Sequence, residues 1–470
     1  MVNYGFVIDN RKCIGCHACT VACKSEHDVP IGVNRTHVKY IEKGTYPDVT
    51  REFSVHRCNH CEDSPCTTIC PTTALFTRED GIVDFDDDRC IGCKSCMQAC
   101  PYDALYIDPN KGTAAKCNYC AHRIEHSYEP SCVIVCPVEA IISGDLDDPN
   151  SSISGYLTEH ETTVRKPESG AKPNVFYVET SEDSLDPHAT ERSGEYLWTD
   201  QAAGVGHFAK YADKRAGAAD TQSMIIQLAL EKKARAAAPR DRAIIRDVMS
   251  KLDEESGKPK RSYDQPSKGV LWGWEVSAYI ATKAIASGTY LVAMAMMLSG
   301  MLEMTDEMWW QLVIGCTTFL GITGVLLVMD LDRPERFLYV MLRPNWDSWL
   351  VKGAYILAGF GGILACSGAV LLFDMDRVYL EYLAYAGIPL AVLTGVYTAW
   401  LLGQARGRSW SEDKFLTAKM LVEMLVAGVA GLILLSSPGI LATVVAVVML
   451  AIVAKHAHGT VIKPQLETLH

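Results

Sequence analysis

The sequence predicts an α+β amino-terminal domain followed by an all-α bundle of about six membrane-spanning helices. One observation behind this prediction is that sixteen of the eighteen cysteines lie between Cys13 and Cys136. The other is that apolar residues concentrate after position 270, whereas acidic residues concentrate before it. Because a chain of 470 residues has room for two or three domains, we divide it into a cysteine-rich domain at 1–178, a polar tether at 179–270 and a membrane domain at 271–470.

The bulk composition restricts the function classes. A net charge of −12 argues against a nucleic-acid-binding surface. The many thiols that have to stay unoxidised indicate folding in a reducing compartment. Residues 1–10 contain no basic region, apolar signal core or twin arginine, so we expect nothing in this chain to direct the cysteine-rich domain across a membrane by itself.

The cysteines fall into four groups of four. The first and third groups have the C-x2-C-x2-C-x3-C spacing of a bacterial ferredoxin, in which three cysteines bind one cubane cluster and the fourth binds the partner cluster. The second group widens the middle spacing to four residues, and the fourth group widens it to eleven. The groups are Cys13, Cys16, Cys19 and Cys23; Cys58, Cys61, Cys66 and Cys70; Cys90, Cys93, Cys96 and Cys100; and Cys117, Cys120, Cys132 and Cys136.

Disulfides, structural zinc and covalently attached haem are the alternatives to iron–sulfur clusters. Disulfides are disfavoured because the chain is long, has no secretory signal and can form a core without crosslinks. Structural zinc also accepts four cysteines, but zinc ribbons usually pair two CxxC units across a longer loop. The stretch Cys13–His17 matches the CxxCH haem attachment motif, yet its cysteines are needed to complete the first ferredoxin run. The spacing therefore predicts four [4Fe–4S] clusters in a bis-ferredoxin-like domain, with all sixteen cysteines as iron ligands.

Each unit of this domain is predicted to contain an extended apolar piece, a cysteine run and a turn of helix. Residues 83–85 and 105–108 have the pattern of the small strands that flank ferredoxin clusters. Polar loops at 32–54 and 108–116 are expected to link the units. Isoleucines between the cysteines are expected to keep water from the clusters, namely Ile14, Ile91 and Ile134.

These motifs, with the stretches 144–151 (GDLDDPNS) and 172–177 (KPNVFY), give residues 1 to about 178 a specific resemblance. They resemble the four-cluster iron–sulfur subunits of the dimethyl-sulfoxide-reductase and polysulfide-reductase type. The resemblance implies that the first and fourth groups share one cluster pair, and that the second and third groups share the other. The implied ligand sets are Cys13, Cys16, Cys19 and Cys136; Cys117, Cys120, Cys132 and Cys23; Cys90, Cys93, Cys96 and Cys70; and Cys58, Cys61, Cys66 and Cys100.

The tether differs in kind, because it is rich in charged residues, serine and alanine. Helical patterns cover about 221–235 and 240–255, and Pro239 suits the start of the second helix. Four apolar side chains of that helix fall on one face, namely Ile244, Ile245, Val248 and Leu252. Two interpretations stay open: the tether lies against a partner subunit or the membrane surface, or it is a solvated linker.

Six segments after Trp272 are long and apolar enough to span a membrane, which takes about 20 apolar residues. They lie near 276–300, 309–329, 353–373, 382–405, 417–436 and 439–458. Lysine and arginine concentrate in the connections on the side of the cysteine-rich domain, whereas the opposite side has only Arg377 beside several carboxylates. This distribution predicts an inner-membrane protein with the clusters in the cytoplasm. Export of an assembled complex on a partner's signal is the alternative.

The membrane domain also resembles a known family, the membrane subunit of polysulfide reductase and its kin. The resemblance rests on 272–279 (WGWEVSAY), 330–337 (DLDRPERF) and 343–349 (RPNWDSW). It implies electron exchange with a quinone, menaquinone or ubiquinone, at the helix ends nearest the clusters. Six spans are predicted here, where several relatives have eight or more. Two subunits that are usually separate are thus expected to be fused in this chain.

Ionisable residues within a span are costly and indicate function. On the first predicted helix, Glu275, Tyr279 and Lys283 are four residues apart and form one stripe. At a rise of about 1.5 Å per residue, Lys283 lies about 12 Å deeper than Glu275. We expect this stripe to bind a quinone carbonyl and to carry its proton. The alternative is an interfacial Glu275, an anchoring Tyr279 and a structural Glu–Lys network.

Other polar residues near the helix ends have two possible roles each. Glu423, one turn after Lys419, is either a second proton site or part of a helix-packing ion pair. His456 and His458 end the sixth span and are either functional or surface histidines.

Between the second and third spans lies a polar segment with Arg343, Asn345 and Asp347. These residues either border the quinone entrance or cap the third helix. Two isolated cysteines in the spans, Cys316 and Cys366, are expected to be buried and to pack as small apolar residues.

Together the two resemblances imply the electron-transfer and membrane-anchor subunit of a respiratory oxidoreductase. The sequence contains no nucleotide-binding glycine pattern and no pterin domain, so a separate catalytic subunit is expected. A molybdenum or tungsten bis-pterin enzyme is favoured, with a hydrogenase or a multihaem cytochrome as alternatives. A redox-coupled ion-translocating module, or a plain anchor without its own quinone site, is the competing interpretation.

Overall fold

The structure, a computed structural model, describes residues 2–44, 48–192, 258–265, 268–436 and 439–467. Its amino-terminal half consists of short strands and short helices around the cysteines. The strands are β1 (Tyr4–Asp9), β2 (His37–Lys43), β3 (Thr50–His56), β4 (Leu75–Thr77), β5 (Val83–Phe85), β6 (Tyr106–Ile107), β7 (Ala114–Ala115), β8 (Ile141–Asp145), β9 (Thr162–Thr163), β10 (Val175–Val178), β11 (Glu191–Arg192) and β12 (Lys260–Tyr263). The helices are α1 (Ala18–Glu26), α2 (Pro65–Ile69), α3 (Ser95–Ala99), α4 (Ala121–Ile124), α5 (Ser131–Ile134), α6 (Ser152–Glu159) and α7 (Glu182–Leu185).

Two four-stranded sheets frame this half, in the orders β8-β1-β10-β9 and β11-β12-β2-β3. In the first sheet, β1 pairs antiparallel with β8 and parallel with β10. Phe6, Val7 and Ile8 on β1 are fully buried, because neighbouring strands cover both edges of β1 and both of its faces are packed. The pairs β4-β5 and β6-β7 form two small ribbons between the cysteine groups. The predicted strand at 83–85 is therefore confirmed as β5, and the one at 105–108 as the shorter β6.

The prediction of polar loops at 32–54 and 108–116 was wrong. Residues 37–43 and 50–56 form the hairpin β2-β3, and β7 lies within the second segment. The charged residues of β2 suggested a solvated loop, but Lys39 is buried and pairs with Asp264 at 3.0 Å. An ion pair of this kind satisfies a buried charge that would otherwise be costly.

Both ends of the predicted tether are folded. Residues 179–192 contain α7 and β11, and β12 pairs antiparallel with β2. The second sheet therefore extends beyond residue 178 and takes in strands from either end of the tether. The helices predicted at 221–235 and 240–255 lie outside the described residues.

The carboxy-terminal half is helical. Six of its helices are long and apolar enough to cross a membrane, and α10 is a short connecting helix. They are α8 (Trp274–Leu298), α9 (Asp306–Met329), α10 (Tyr339–Leu342), α11 (Trp349–Leu372), α12 (Val378–Gly403), α13 (Leu416–Leu435) and α14 (Ile440–Glu467).

The predicted spans are confirmed, and five of the six have both ends within a few residues of the observed helix ends. The exception is the last, which was predicted to end at 458, whereas α14 continues to Glu467. The apolar run stops near residue 458, but Val461 and Gln465 in the last part of the helix are buried. The Gln465 side chain accepts hydrogen bonds from the backbone amides of Leu271 and Trp272, at 2.9 and 3.0 Å. Tertiary contacts thus extend the helix beyond its apolar segment.

Helix α8 is central and packs against α9, α12, α13 and α14. Its approach to α13 depends on small residues. A Cβ added at Gly288 would lie 1.9 Å from the carbonyl oxygen of Met424, and one at Gly428 would lie 2.3 Å from the backbone of Gly288. The two backbones therefore touch, as in other membrane helix pairs with small interfacial residues.

Candidate functional site

The sixteen cysteines of the four groups lie in four sets of neighbouring thiols. Most electrostatic contacts between thiols fall within these sets, and a few join neighbouring sets, namely Cys19 with Cys132, Cys58 with Cys117, and Cys66 with Cys70 and Cys96. The four sets are the first set, Cys13, Cys16, Cys19 and Cys136; the second set, Cys23, Cys117, Cys120 and Cys132; the third set, Cys70, Cys90, Cys93 and Cys96; and the fourth set, Cys58, Cys61, Cys66 and Cys100. This grouping has the same members as the ligand sets that the resemblance implies.

Among the residues that the structure describes, no group of three or more His, Cys, Asp or Glu is placed to hold a single metal ion. In a cubane cluster each thiolate binds its own iron atom.

The backbone between the cysteines turns in the left-handed region at equivalent positions of two groups. Gly15 and His17 have φ of 66° and 60°, and Gly92 and Lys94 have φ of 69° and 61°. Glycine adopts this conformation without steric cost. The resulting turns direct the amides of Gly15 and Gly92 towards the sulfurs of the first cysteine in each group. Amide hydrogen bonds to sulfur are one of the factors that set cluster potentials.

Two buried cations lie among the thiols, Arg57 and Lys116. An Arg57 Nη1 donates to Cys132 Sγ at 3.1 Å, and Lys116 Nζ donates to the Cys117 carbonyl oxygen at 2.9 Å. Burial acts to lower the pKa of Arg57, but the neighbouring thiol of Cys132 raises it above its usual value. Both cations thus offset negative charge on the sulfurs.

These cations were not predicted from the sequence, although a sequence pattern marks them. Lysine or arginine directly precedes the first cysteine of every group, and the four residues are Lys12, Arg57, Arg89 and Lys116. Only the structure distinguishes the two that are buried, because the spacing alone gives no information about which side of the backbone faces solvent.

The first set lies at the surface. Cys16 is exposed, and the flanking Ile14 and Ile134 are 56% and 57% exposed, whereas Ile91 of the third group is 2% exposed. The expectation that all three isoleucines shield clusters was therefore wrong for two of them. We call the exposed apolar residues around the first set the distal patch, which comprises Ile14, Val21, Ile134 and Val135.

The third set lies against the membrane helices, and three of its four cysteines have carbonyl oxygens held by the carboxy-terminal half. Trp272 Nε1 donates to Cys93 O at 3.0 Å. Arg336 Nη1 donates to Cys90 O at 3.1 Å. Asn345 Nδ2 donates to Cys70 O at 2.8 Å.

This contact also defines the role of Asn345. From sequence it was interpreted as a residue of the quinone entrance or as a cap of the third span. In the structure its side chain binds the backbone around Cys70, and Ser348 Oγ donates to Ile69 O at 2.7 Å. The sequence gives no access to these contacts, because they join residues that are distant along the chain.

A cavity of about 320 Å³ separates the third set from the membrane interior. Cys93 and Trp272 form its wall on the cluster side, and Tyr279, Ala354 and Tyr397 line it from helices α8, α11 and α12. Most of the lining is apolar, as expected of a site for a flat hydrophobic ligand.

The structure separates the three residues that were predicted to contact quinone. Tyr279 lines the cavity, whereas Glu275 and Lys283 do not. Lys283 is fully buried behind it, and its Nζ donates to Gly395 O at 3.1 Å and to Thr398 Oγ1 at 2.5 Å. Glu275 is half-buried at the beginning of α8.

Two residues of the cavity were missed, Asp330 and Tyr397. Asp330 directly follows α9 and lines the cavity, and its carbonyl oxygen accepts a hydrogen bond from Lys94 Nζ at 3.0 Å. Burial raises the pKa of Asp330 to about 7, although the charge of Lys94 opposes this shift. Asp330 begins one of the motifs that carry the membrane-subunit resemblance, and this motif could have indicated its importance. The position of Tyr397 depends on helix packing, and no sequence pattern indicated it.

Two further predictions need correction. Lys419 does not pair with Glu423 but with Asp413, at 2.5 Å, and Glu423 hydrogen-bonds His456 instead. Cys316 is buried as expected, but Cys366 is exposed on the surface of the helix bundle.

Comparisons with known proteins match both halves of the chain. Residues 49–146 match the model of the 4Fe-4S dicluster domain. Residues 264–446 match the model of the polysulphide reductase membrane family NrfD.

Several curated relatives align with the amino-terminal half. A subunit of the tetrathionate reductase of Salmonella typhimurium is 45% identical over 179 residues, which cover 37% of this chain and 72% of the relative. A polypeptide of the polysulfide reductase of Wolinella succinogenes is 43% identical over 178 residues, 37% of this chain and 93% of the relative. The arsenate respiratory reductase iron-sulfur subunit of a Shewanella species is 35% identical over 222 residues, 37% of this chain and 95% of the relative.

Proposed function

The chain belongs to the iron–sulfur electron-transfer subunits of the dimethyl-sulfoxide-reductase and polysulfide-reductase type, fused to an NrfD-type membrane subunit, and from this premise we propose its function. It passes electrons through four [4Fe–4S] clusters between a separate catalytic subunit and the membrane quinone pool. The observation that carries this proposal is the 320 Å³ cavity, because one wall is Cys93 of the third set and the others are membrane helices.

Four features of the amino-terminal half support four clusters. The thiols form four sets of four, amides point at their sulfurs, and Arg57 and Lys116 are buried beside them. In addition, burial raises the pKa of the Cys19 thiol to about 12, so an ionised sulfur at this depth needs a bound cation such as iron. The clusters, when bound, would supply one-electron carriers along the domain.

The cavity suits a quinone ring. Ligand pockets commonly enclose about 300–1,000 Å³ and combine an apolar lining with a few polar groups. Here Tyr279 and Tyr397 present phenol hydroxyls and Asp330 presents a carboxylate. The phenol hydroxyls donate to a quinone oxygen, and Asp330 accepts a proton from a quinol hydroxyl or returns it. With a pKa near 7, Asp330 is suited to exchange protons at neutral pH.

The distal patch supports docking of the catalytic subunit beside the first set. Exposed apolar residues around a site of electron exit are typical of protein interfaces. The third set faces the membrane and the first set faces outward, so the two ends of the cluster series serve different partners. A molybdenum or tungsten bis-pterin enzyme fits best, since the relatives are named as subunits of tetrathionate, polysulfide and arsenate reductases.

The charge distribution supports placement of the clusters on the cytoplasmic side of the inner membrane. Arg333 and Arg336 follow α9 and contact the cluster domain at Lys111 O and Cys90 O. On the opposite side Arg377 is neutralised by Asp306 at 2.9 Å. Positive residues favour the cytoplasmic side of a membrane, and this tendency supports a cytoplasmic position for the docked cluster domain.

A cavity-filling variant tests the quinone site. Ala354→Trp places an indole in the cavity, whereas Ala358→Trp, one turn further along α11, faces the exposed side of the helix and serves as control. We expect Ala354→Trp to abolish reduction of the clusters by a soluble menaquinol analogue in the purified complex, with dithionite reduction unchanged. Wild-type quinol reduction in Ala354→Trp would contradict the proposal and favour a plain anchor.

The partner is tested by composition. The complex is purified from native membranes, its chains are identified, and iron, molybdenum, tungsten and nickel are measured. Molybdenum or tungsten is expected beside the iron. Nickel without either metal would instead identify a hydrogenase partner.

A further inference from the structure

Lys283 is a fully buried cation in the middle of the membrane domain. It lies outside the lining of the cavity, yet it is next to two residues that connect it to that lining. Its Nζ is 4.4 Å from the centre of the Tyr397 ring and 2.5 Å from Thr398 Oγ1. The Thr398 side chain also lies next to the phenol groups of Tyr279 and Tyr397. A short polar connection therefore leads from the cavity to Lys283.

The next ionisable group beyond Lys283 is Glu423 on α13. Glu423 is the only carboxylate that acts electrostatically on Lys283 among the described residues. The close approach of α8 and α13 at Gly288 and Gly428 brings the two helices that carry these residues together. Glu423 in turn hydrogen-bonds His456 Nδ1 on α14, and its own side chain is only 12% exposed.

His456 lies at the boundary of a second cavity, of about 570 Å³. This second cavity is formed by the segment before α13 and by the last turns of α14. Its lining includes the charged residues Asp413, Lys419, Lys455 and Lys463. His456 itself is half-exposed, so Glu423 is separated from solvent by one imidazole.

We infer that Thr398, Lys283, Glu423 and His456 form a proton path between the quinone cavity and the second cavity. This inference rests on the proposed function and deepens it. The Thr398 hydroxyl both donates and accepts a hydrogen bond, and each of the other three groups donates a proton when protonated and accepts one when deprotonated. Burying a lysine in a membrane span costs free energy, so a buried lysine beside a carboxylate indicates a function.

The path and Asp330 together account for the two protons of the quinol reaction. For each quinol oxidised to quinone, two electrons leave towards the third set and on to the electron acceptor of the catalytic subunit. Of the two protons released, Asp330 takes one, and the path from Thr398 to His456 carries the other to the second cavity. Quinone reduction uses the same transfers in the opposite direction.

The path also corrects the predicted stripe. The stripe of Glu275, Tyr279 and Lys283 was predicted to carry the proton along one helix. In the structure Lys283 contacts α12 and is influenced by α13, whereas Glu275 lies on the other side of Tyr279, near Asp330. The proton therefore leaves sideways through side chains of four helices, α12, α8, α13 and α14, rather than along α8 alone.

The test uses Glu423→Gln in the purified complex in lipid nanodiscs. Glu381→Gln, an exposed carboxylate of α12 at the opposite end of the membrane domain, is the matched control. We expect Glu423→Gln to slow quinol-driven cluster reduction by about tenfold or more, with a larger solvent deuterium isotope effect. Binding of the inhibitor 2-heptyl-4-hydroxyquinoline N-oxide should change by less than about twofold, because the path does not line the quinone cavity.

A second readout is independent of turnover. Redox-difference infrared spectra should contain a carboxyl band that is absent in Glu423→Gln and present in Glu381→Gln. His456→Gln, a change at a half-exposed side chain, should slow the same proton step. An unchanged rate and an unchanged spectrum in Glu423→Gln, with inhibitor still bound, would overturn the path alone. Failure of the native protein to bind the inhibitor would overturn the quinone site itself.

Discussion

Trp272 donates a hydrogen bond from its indole nitrogen to the carbonyl oxygen of Cys93, with 3.0 Å between the two atoms. The indole is 4% exposed and stacks on Trp410 at 5.8 Å between ring centres. One side chain at the start of the first membrane helix therefore fixes the cysteine loop over the cavity. This contact, with those of Arg336 and Asn345, holds the third set at the wall of the cavity.

Replacing Trp272 by Phe tests that arrangement. The ring packing is retained, but a buried carbonyl oxygen loses its donor, which costs about 1–3 kcal/mol. We expect a lower melting temperature and a severalfold slower reduction of the clusters by quinol. Trp274→Phe is the control because Trp274 is exposed. Equal behaviour of the two variants would mean that the bond to Cys93 has no role in positioning.

Arg57→Gln is expected to lower the reduction potential of the neighbouring cluster. Removing a cation disfavours the reduced, more negative state. A unit charge at ~6 Å with an effective dielectric constant of ~20 corresponds to about 100 mV for one electron. Potentiometric titration followed by electron paramagnetic resonance measures the shift. Arg89→Gln, at a more exposed arginine that pairs with Asp86, should leave all potentials nearly unchanged.

The pKa of Asp330 predicts the pH dependence of quinol oxidation. Burial raises this pKa from 3.8 to about 7, against the opposing charge of Lys94. The carboxylate that accepts a proton is formed above pH 7, so the rate should rise with pH through that value. Asp330→Asn should remove the rise and slow oxidation by about 100-fold, whereas Asp374→Asn on the opposite side of the membrane domain should do neither.

The raised pKa of Asp330 also determines how the free energy of unfolding changes with pH. The protonated form of Asp330 is favoured in the folded chain, so its contribution to the free energy of unfolding is fully present below pH 3.8 and is lost as pH rises through about 7. Asp330→Asn should therefore be relatively more stable than the native chain at pH 8 than at pH 5. Chemical denaturation at the two pH values measures this difference.

Gly288→Ala tests the contact of α8 with α13. The added methyl group would lie 1.9 Å from the carbonyl oxygen of Met424, and overpacking of this kind costs about 1–3 kcal/mol. We expect a lower melting temperature of the detergent-solubilised protein. Gly321→Ala has open space around it and should leave stability unchanged or slightly higher. A tolerated Gly288→Ala would show that the two helices adjust easily.

The parts of the site that depend on local spacing were predictable from the sequence. Cysteine intervals define the four groups, and an apolar length defines each span. Tyr279 was found because an aromatic hydroxyl at a helix end stands out in an apolar segment. Asp330 was quoted within a motif, but its role depends on the enclosure that Trp272 and α11 create around it.

The remaining parts depend on contacts between residues distant in sequence. Lys39 looked solvated because its partner, Asp264, is more than 200 positions away. An ion pair with Lys419 was one of the two roles considered for Glu423, because the two residues are one turn apart, whereas the packing of α14 presents His456 to it. The periodicity of a helix does not show whether the partner of a side chain lies on the same helix or on a neighbouring one.

The position of β1 in the middle of its sheet imposes an order on biogenesis. Its parallel neighbour, β10, ends at Val178, and the first set needs Cys136, so the outward-facing clusters close late in synthesis. The third and fourth sets lie entirely within 58–100 and are complete on the ribosome earlier, since domains form from the amino terminus at about 5–20 residues per second. The ligands of the proposed membrane-facing cluster are thus all translated before those of the first set, and before the first span.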